Sequence, residues 1–392
     1  MKLNADILAY QDELTAIRRD LHAHPEIGFE EFRTSGIVAE KLQGWGIEVT
    51  RDIGGTGLVG TVRGKGASNR AIGLRADMDA LPMQEGNSFA HASKTPGKMH
   101  GCGHDGHTTM LLGAAKYLAA TRNFAGTVQL IFQPAEEGMG GAERMIAEGL
   151  FDRFPVDAVY GVHNWPGMPV GSFGLRAGAM LASVDDFTIV ITGKGGHAAM
   201  PHLTIDPIIV SAHVLVALQT LVSRNVNPND AGVVTVGAIH GGSAFNVIPQ
   251  DVTLRGTVRT LSAATRDMLE AGLTRVVQNT VAAHGATADI HYHRAFPVLV
   301  NSPAETDFAA DTAAEIFGDD AVIRDAGPVM GSEDFASMLE HRPGAYAFIG
   351  QGDGAGCSNS VHNPMYDFND ALLPIGATYF ARLVERSLPL AG

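Results

Sequence analysis

Between about Ser183 and Pro297 the pattern of apolar residues departs from that on either side, and this change constrains the fold more than any other feature. Within it, Phe187–Thr192 alternates as a strand and Ile208–Val222 has helical spacing. Val233–Ile239 and Val252–Val258 read as strands, Ala264–Ala283 as a helix and Ala288–Tyr292 as a strand. The order β-α-β-β-α-β is the split ferredoxin-like unit, which can bury a core of its own.

Outside that stretch the chain alternates differently. Ala5–Leu21 and Thr34–Gly44 are helical in spacing, and Gly57–Val62 and Ala71–Ala76 are strand-like. His107–Ala120 is rich in Ala and Leu and helical, Thr127–Phe132 is a β-rich run, Gly141–Glu148 a helix and Ala158–Val162 a strand. Strands alternating with helices imply crossover connections and a mostly parallel sheet with helices on both faces. From Val298 the alternation resumes and ends on a helix after Asp370. The expectation is therefore an α/β chain: a discontinuous domain over 1–182 and 298–392, interrupted by a compact α+β domain over 183–297. A length of 392 residues accommodates two such domains.

Charge and composition narrow the partners. A net charge of −14 argues against a nucleic-acid or anionic-membrane binder, which needs a basic face. The most apolar stretch, Leu203 to Val222, contains Asp206, Pro207 and His213 and falls short of a membrane span. Two cysteines cannot form a disulfide framework, and the charged N-terminal stretch lacks the apolar core of a secretory signal. The expected location is the cytoplasm. Sixteen histidines, in contrast, direct attention to metal sites.

Metal-binding side chains meet loops and strand ends in four places. The first is His100-Gly101-Cys102-Gly103-His104-Asp105-Gly106-His107, where glycines let a thiolate and an imidazole two residues apart turn toward one ion. Next come Glu136 and Glu137, just after the strand Thr127–Phe132, where open α/β sheets carry their chemistry. His163 ends the strand Ala158–Val162, and His362 lies in the loop Ser360–Pro364. Each feature alone has a plain structural explanation: a hydrogen-bonded histidine, a solvated acidic pair, a small buried thiol. Together they would require four coincidences. Gly101–Gly106 also satisfies the letter of G-x-G-x-x-G. No strand precedes it, however, and Cys, His and Asp crowd the turn where a pyrophosphate would approach, so a nucleotide-dependent oxidoreductase is set aside.

Beyond these residues the chain resembles the metallopeptidase family that includes aminoacylases and dimeric glutamate carboxypeptidase. Within it, the likeness is to the hippurate hydrolase and N-acyl-amino-acid amidohydrolase branch. The matching segments are Arg19–Glu26, Arg75–Pro82, Met99–His107, Gln133–Gly138, Gly195–Ala199, Asn246–Pro249 and Gly331–Phe335. They follow family order over nearly the whole chain.

The resemblance implies a metal-binding catalytic domain with an inserted lid and dimerisation domain. It places Cys102, His104, Glu137, His163 and His362 as ligands of two divalent ions per subunit (Mn, Zn, Ni or Co). It makes Glu136 the general base and Asp77 a residue that orients a ligand histidine. His197 becomes an insert-domain histidine that reaches an active site, in some members from the partner subunit, and Asn246 and Arg259 face the substrate carboxylate. One departure stands out: where the wider family has its first metal histidine, this chain has Arg75, with Cys102 and His104 compensating. The implied reaction is hydrolysis of the amide of an N-acetyl or N-benzoyl amino acid by a homodimer or dimer-based oligomer. A dipeptidase or carboxypeptidase is the alternative within the class. A non-catalytic metal-binding protein is the alternative outside it, and that reading predicts a lost base or ligand, whereas all are present.

Other conspicuous residues have local explanations. His22, His24, His100 and His107 are expected to be satisfied by nearby hydrogen bonds. Cys357 reads as a buried loop thiol, and Glu333 and Asp334 as anchors of the Gly331 loop.

Overall fold

In the computed structural model, which describes residues 2–352, 354 and 359–391, the chain forms two compact units. The first comprises Met1–Gly178, Val300–Gly327 and Asp334–Gly392; the second comprises Ala179–Leu299 and Pro328–Glu333. Cys357 lies outside the described residues.

The first unit is built on an eight-stranded sheet. Its order is Glu48–Ile53, Gly57–Arg63, Ala125–Gln133, Gly66–Asp77, Ala158–Pro166, Gly344–Gly352, Phe173–Gly174, Val322–Ile323. The four central strands run parallel. The first two form a hairpin that joins antiparallel, and Phe173–Gly174 is antiparallel to its neighbour Gly344–Gly352. The central strands are apolar runs rather than alternating ones because helices cover both faces. The helix His104–Thr121 is buried along most of its length and packs against Leu372–Ser387. A parallel arrangement brings all four carboxyl ends to one edge. Register sets Asp77 beside Gln133 and Phe348 beside His163, so the chemistry-bearing segments emerge at one level.

In the second unit the sheet order is Gly232–His240, Asp251–Thr260, Ser183–Thr192, Thr287–Phe296, antiparallel throughout. That is the strand order of the ferredoxin-like unit. The helices Pro207–Asn225 and Ala263–Ala283 pack on the sheet through Val210, Val214, Leu218 and Leu221 from the first and Leu269, Leu273, Val277 and Val281 from the second. Asp206 caps the first helix by accepting from the Ile208 N–H at 2.9 Å, with Pro207 in its first turn. By length and composition alone this helix could cross a membrane. Its buried stripe at i, i+4, i+8, i+11 supplies the other reason for that hydropathy.

A segment far from the insert in sequence also belongs to this second unit. The Ala182 N–H donates to the Gly331 carbonyl at 2.8 Å, which ties Pro328–Glu333 to the residue just before the strand Ser183–Thr192. The sequence pattern closes the insert at Pro297 and does not include this segment.

Candidate active site

Gly103 shapes the loop that follows Met99. It stands between Cys102 and His104 with φ +99°, and a Cβ there would lie 2.2 Å from Asn164 Oδ1 and 2.6 Å from the Tyr366 hydroxyl. Only glycine satisfies both the backbone and the space. The turn starts the helix His104–Thr121 and directs Cys102 and His104 to one side. His362, itself left-handed at φ 64°, ties its N–H to the Gly101 carbonyl at 2.7 Å and so joins the same loop.

The ligand atoms of Cys102, His104 and His163 lie within 4.8 Å of one another, as do those of Cys102, Glu137 and His362. Cys102 belongs to both sets. The tautomers suit cation binding. His163 Nδ1 donates to the Asn164 carbonyl at 2.7 Å, leaving Nε2 as an acceptor that the Cys102 thiol meets at 3.3 Å. His104 Nδ1 meets the Asp79 carboxylate at 3.2 Å, and its buried Nε2 has no hydrogen-bond partner among the described residues. Glu137 Oε1 is also buried, without a hydrogen bond among the described residues, and forms an ion pair with His362 Nε2 at 3.2 Å. Buried polar atoms are ordinarily satisfied, so two such atoms facing one space, beside a thiol, fit a pair of divalent cations.

Protonation behaviour agrees with this crowding. Burial, with Glu137 beside it, pushes the Cys102 thiol up. Burial and His107 hold His163 well below the usual histidine range, so it is neutral as a ligand must be. The Cys102 thiol and the Glu137 carboxylate beside its ring raise His362 to about 10. Burial opposes the charge on His104, yet Asp77, Cys102 and Asp79 outweigh it and raise its pKa well above the ordinary value. A divalent cation held by these residues would take the place of these protons as the counter-charge for the thiolate and carboxylates.

The supporting shell contains residues the sequence did not single out. Asp79 bridges two candidate ligands: Oδ1 meets His104, and Oδ2 accepts the Glu137 N–H at 2.9 Å. Asp77 grips His107 Nδ1 at 2.6 Å and Arg75 Nη1 at 2.7 Å, while its Oδ2 lies 3.8 Å from His104 Nε2. Of the two, Asp79 therefore fixes the ring of His104. Burial works against the Asp77 charge, but His104, His107 and Arg75 hold its pKa well below the usual carboxylate range. His107 Nε2 also contacts Asn164 Oδ1 at 2.7 Å, and the Asn164 amide reaches Gln351 and Tyr366, each at 2.8 Å. Arg75 is fully buried and donates to Gln133 at 2.8 Å and Asp334 at 3.1 Å, a structural ion-pair role rather than a ligand's. Glu136 is buried beside Glu137, with Oε1 3.4 Å from the Asp334 N–H.

Local hydrogen bonding accounts for three of the four remaining histidines. His22 lies between Asp105 at 2.8 Å and Glu85 at 3.3 Å, and His24 Nδ1 bonds the Asp20 carbonyl at 2.8 Å. His107 is held as described above. His100 departs from the expectation: it is buried, neither ring nitrogen has a hydrogen-bond partner among the described residues, and burial pushes its pKa down to about 4.

The second unit carries the other candidate residues. His197 and Val247 pair in a short antiparallel ladder, which sets His197 next to Asn246, whose carbonyl accepts the Ala198 N–H at 3.1 Å. His197 Nδ1 accepts the Ala199 N–H at 3.0 Å, so the ring proton sits on Nε2, ready to be donated. Arg259 is half-buried and donates to Ser332 Oγ at 3.0 Å; the nearby Asp185 carboxylate is taken by Arg266 and Tyr292.

Comparison with known proteins gives the same direction. The model of peptidase family M20/M25/M40 matches residues 73–386. The chain is 44% identical to the hippurate hydrolase of Campylobacter jejuni, over 99% of this chain and 100% of that one. It is 41% identical to the N-acetyl-L-cysteine deacetylase of Bacillus subtilis, over 94% and 86% of the two chains. Among solved structures it is similar to the Bacillus subtilis YXEP protein, a dinuclear metal binding peptidase of the M20 family. The TM-score is 0.84 at 33% identity, covering 98% of this chain and 100% of that one.

Proposed function

The chain belongs to peptidase family M20/M25/M40 and is a hydrolase of amide bonds, and from that premise we propose that its substrates are small N-acyl amino acids, N-acetyl or N-benzoyl, cleaved to a carboxylic acid and a free amino acid. The observation that carries the proposal is the pair of ligand sets sharing Cys102, with the buried Glu136 immediately before ligand Glu137. Cys102, His104 and His163 would hold one cation, and Cys102, Glu137 and His362 the other. Bound there, Mn, Zn, Ni or Co would acidify a water and polarise the amide carbonyl.

The chain's own residues supply the proton chemistry. Glu136 takes the proton of the attacking water and delivers it to the leaving amine; staying off the metal keeps that proton mobile. His197, with its proton on Nε2, donates to the oxyanion, a contribution of about 2.7–4 kcal/mol in comparable sites. Asn246 and Arg259 offer an amide and a guanidinium to the substrate carboxylate. Asp77 acts through His107 and Asn164 behind the ligands, while Asp79 fixes His104 and the Glu137 backbone.

The second unit is proposed as both lid and dimer contact. The outer face of Pro207–Asn225 leaves Ile208, Ile209 and Val216 exposed, and Gly232–His240 is an edge strand. An apolar helix face beside a strand edge suits an isologous two-fold contact. A reducing cytoplasm suits the thiol ligand.

The test is a hydrolysis panel of hippurate, N-acetyl amino acids and dipeptides, run on chelated enzyme reconstituted with Mn, Co, Ni or Zn. Chelation should abolish turnover and a divalent metal restore it, with N-acyl amino acids preferred. Full turnover by protein shown by elemental analysis to be metal-free ends the metal reading. Turnover of dipeptides alone replaces the substrate assignment with a dipeptidase.

A further inference from the structure

Glu31 is a fully buried carboxylate in a segment that the mechanism does not use. It occupies the N-cap position of the helix Phe32–Gly44, yet its side chain caps nothing. Oε1 accepts the Ala135 N–H at 2.8 Å instead, and Oε2 accepts the Thr56 hydroxyl at 2.5 Å. Ala135 is buried and left-handed, with φ 54°, a conformation a residue with a Cβ rarely adopts. The backbone at that point turns directly into Glu136 and Glu137.

The surrounding contacts show a buttress. A Cβ on Gly28 would lie 2.9 Å from Ala135 Cβ and 2.7 Å from Met139 Sδ, so the chain before Glu31 lies flush against the loop. The Ala80 N–H donates to the Glu26 carbonyl at 2.8 Å, which anchors the same stretch on its other side. Within the loop, alternate N–H groups are held by two carboxylates: Ala135 by Glu31 and Glu137 by Asp79.

We propose that Glu31 is a positioning residue that holds Ala135 in its left-handed turn and thereby aims Glu136 at the reacting water and Glu137 at the metals. The inference rests on the roles given to Glu136 and Glu137 above; Glu31 itself touches neither substrate nor ligand. Burial, with Asp79 nearby, pushes Glu31 up to about 7. The hold is indifferent to that proton. On Oε2 it is donated to Thr56 Oγ, and Oε1 still accepts from Ala135. The glutamine isostere therefore keeps the essential acceptor.

The experiment compares wild type with Glu31→Ala and Glu31→Gln, reconstituted with the same metal. It reads kcat and KM with hippurate, and hydrogen exchange at the Ala135 amide with nitrogen-labelled alanine. Glu31→Ala should lose protection at Ala135 and lower kcat by about 10²-fold with KM little changed, as a misaimed base does. Glu31→Gln should retain the protection and most of kcat. Should the alanine variant fail to fold, Glu31→Asp keeps the polarity but draws the carboxylate back from Ala135, and it should give the same two losses. The inference is overturned if Ala135 stays protected in Glu31→Ala or Glu31→Asp. It is equally overturned if protection goes while kcat stays, or if Glu31→Gln fares no better than the alanine variant. A Glu136→Gln control separates the two levels: if that enzyme turns over normally, the base assignment fails, whereas the exchange data still report on the hold.

Discussion

Three glycines allow the energetics of the metal loop to be dissected. Gly36 lies inside the helix Phe32–Gly44, and a Cβ there meets nothing within 4 Å. Gly36→Ala should stabilise by about 0.5–1 kcal/mol, because alanine loses less conformational entropy on folding. Gly97 has φ +75° with open space around it, so Gly97→Ala carries the backbone term alone, roughly 1–2 kcal/mol of destabilisation. Gly103→Ala carries that term and a collision. Its Cβ would press on Asn164 Oδ1 and the Tyr366 hydroxyl, both members of the buried network that holds His107. Overpacking adds about 1–3 kcal/mol, and a displaced buried amide left unsatisfied adds roughly 1–3 more. The expected loss is roughly 3–8 kcal/mol, well beyond that of Gly97→Ala. Urea denaturation of the three variants, with metal content by elemental analysis, gives the comparison. Gly103→Ala alone should also lose metal, because the displaced turn carries Cys102 and His104. A Gly103→Ala protein as stable as Gly97→Ala, with its metals retained, would refute the account of this loop.

Two further outcomes follow from the geometry. Burial disfavours a charged His22, but Asp105 and Glu85 raise its pKa from 6.5 to about 9. Its stabilisation is complete below pH 6.5 and is lost as pH rises through 9, a change of at most about 3 kcal/mol. The stability difference between wild type and His22→Asn, measured by urea titration from pH 6 to 9.5, should shrink across that window; a constant difference contradicts the ion-pair assignment. If His197 acts across a two-fold contact, co-refolding inactive Glu136→Gln with inactive His197→Ala should restore up to roughly a quarter of wild-type activity through random pairing. Hybrid dimers that stay inactive would confine His197 to its own chain or exclude it from catalysis.

What the sequence reveals about the site follows chemistry more closely than geometry. Cys102, His104, Glu137, His163 and His362 stand out because metal-binding donors recur together at loops and strand ends, although each alone has a plain structural explanation, and the fold brings them within reach of one another. Sequence resemblance points to Asp77 and not to Asp79 as the orienting carboxylate. The two are two residues apart where a strand ends, and local pattern does not say which carboxylate meets His104. Asn164 and Glu31 act through partners distant in sequence, His107 and Ala135, so nothing in their neighbourhoods marks them. In the fold, the alternating strands of the second unit were legible because one face of its sheet is buried against helices. Gly344–Gly352 is buried at every position, and such a run lacks the periodicity that separates a strand from a buried helix. The hairpin strand Glu48–Ile53 is mostly exposed and equally featureless.

The most direct test of the central claim is the metal content and turnover of Glu136→Gln beside Glu137→Gln. Adjacent in sequence, the two are assigned opposite duties: Glu136 moves a proton, and Glu137 holds a cation with Cys102 and His362. Glu136→Gln should keep near-normal metal while turnover falls by about 10²-fold or more, and Glu137→Gln should lose metal and activity together. Metal lost from Glu136→Gln and kept by Glu137→Gln would reverse the assignment, and turnover preserved in both would remove the loop from the chemistry altogether.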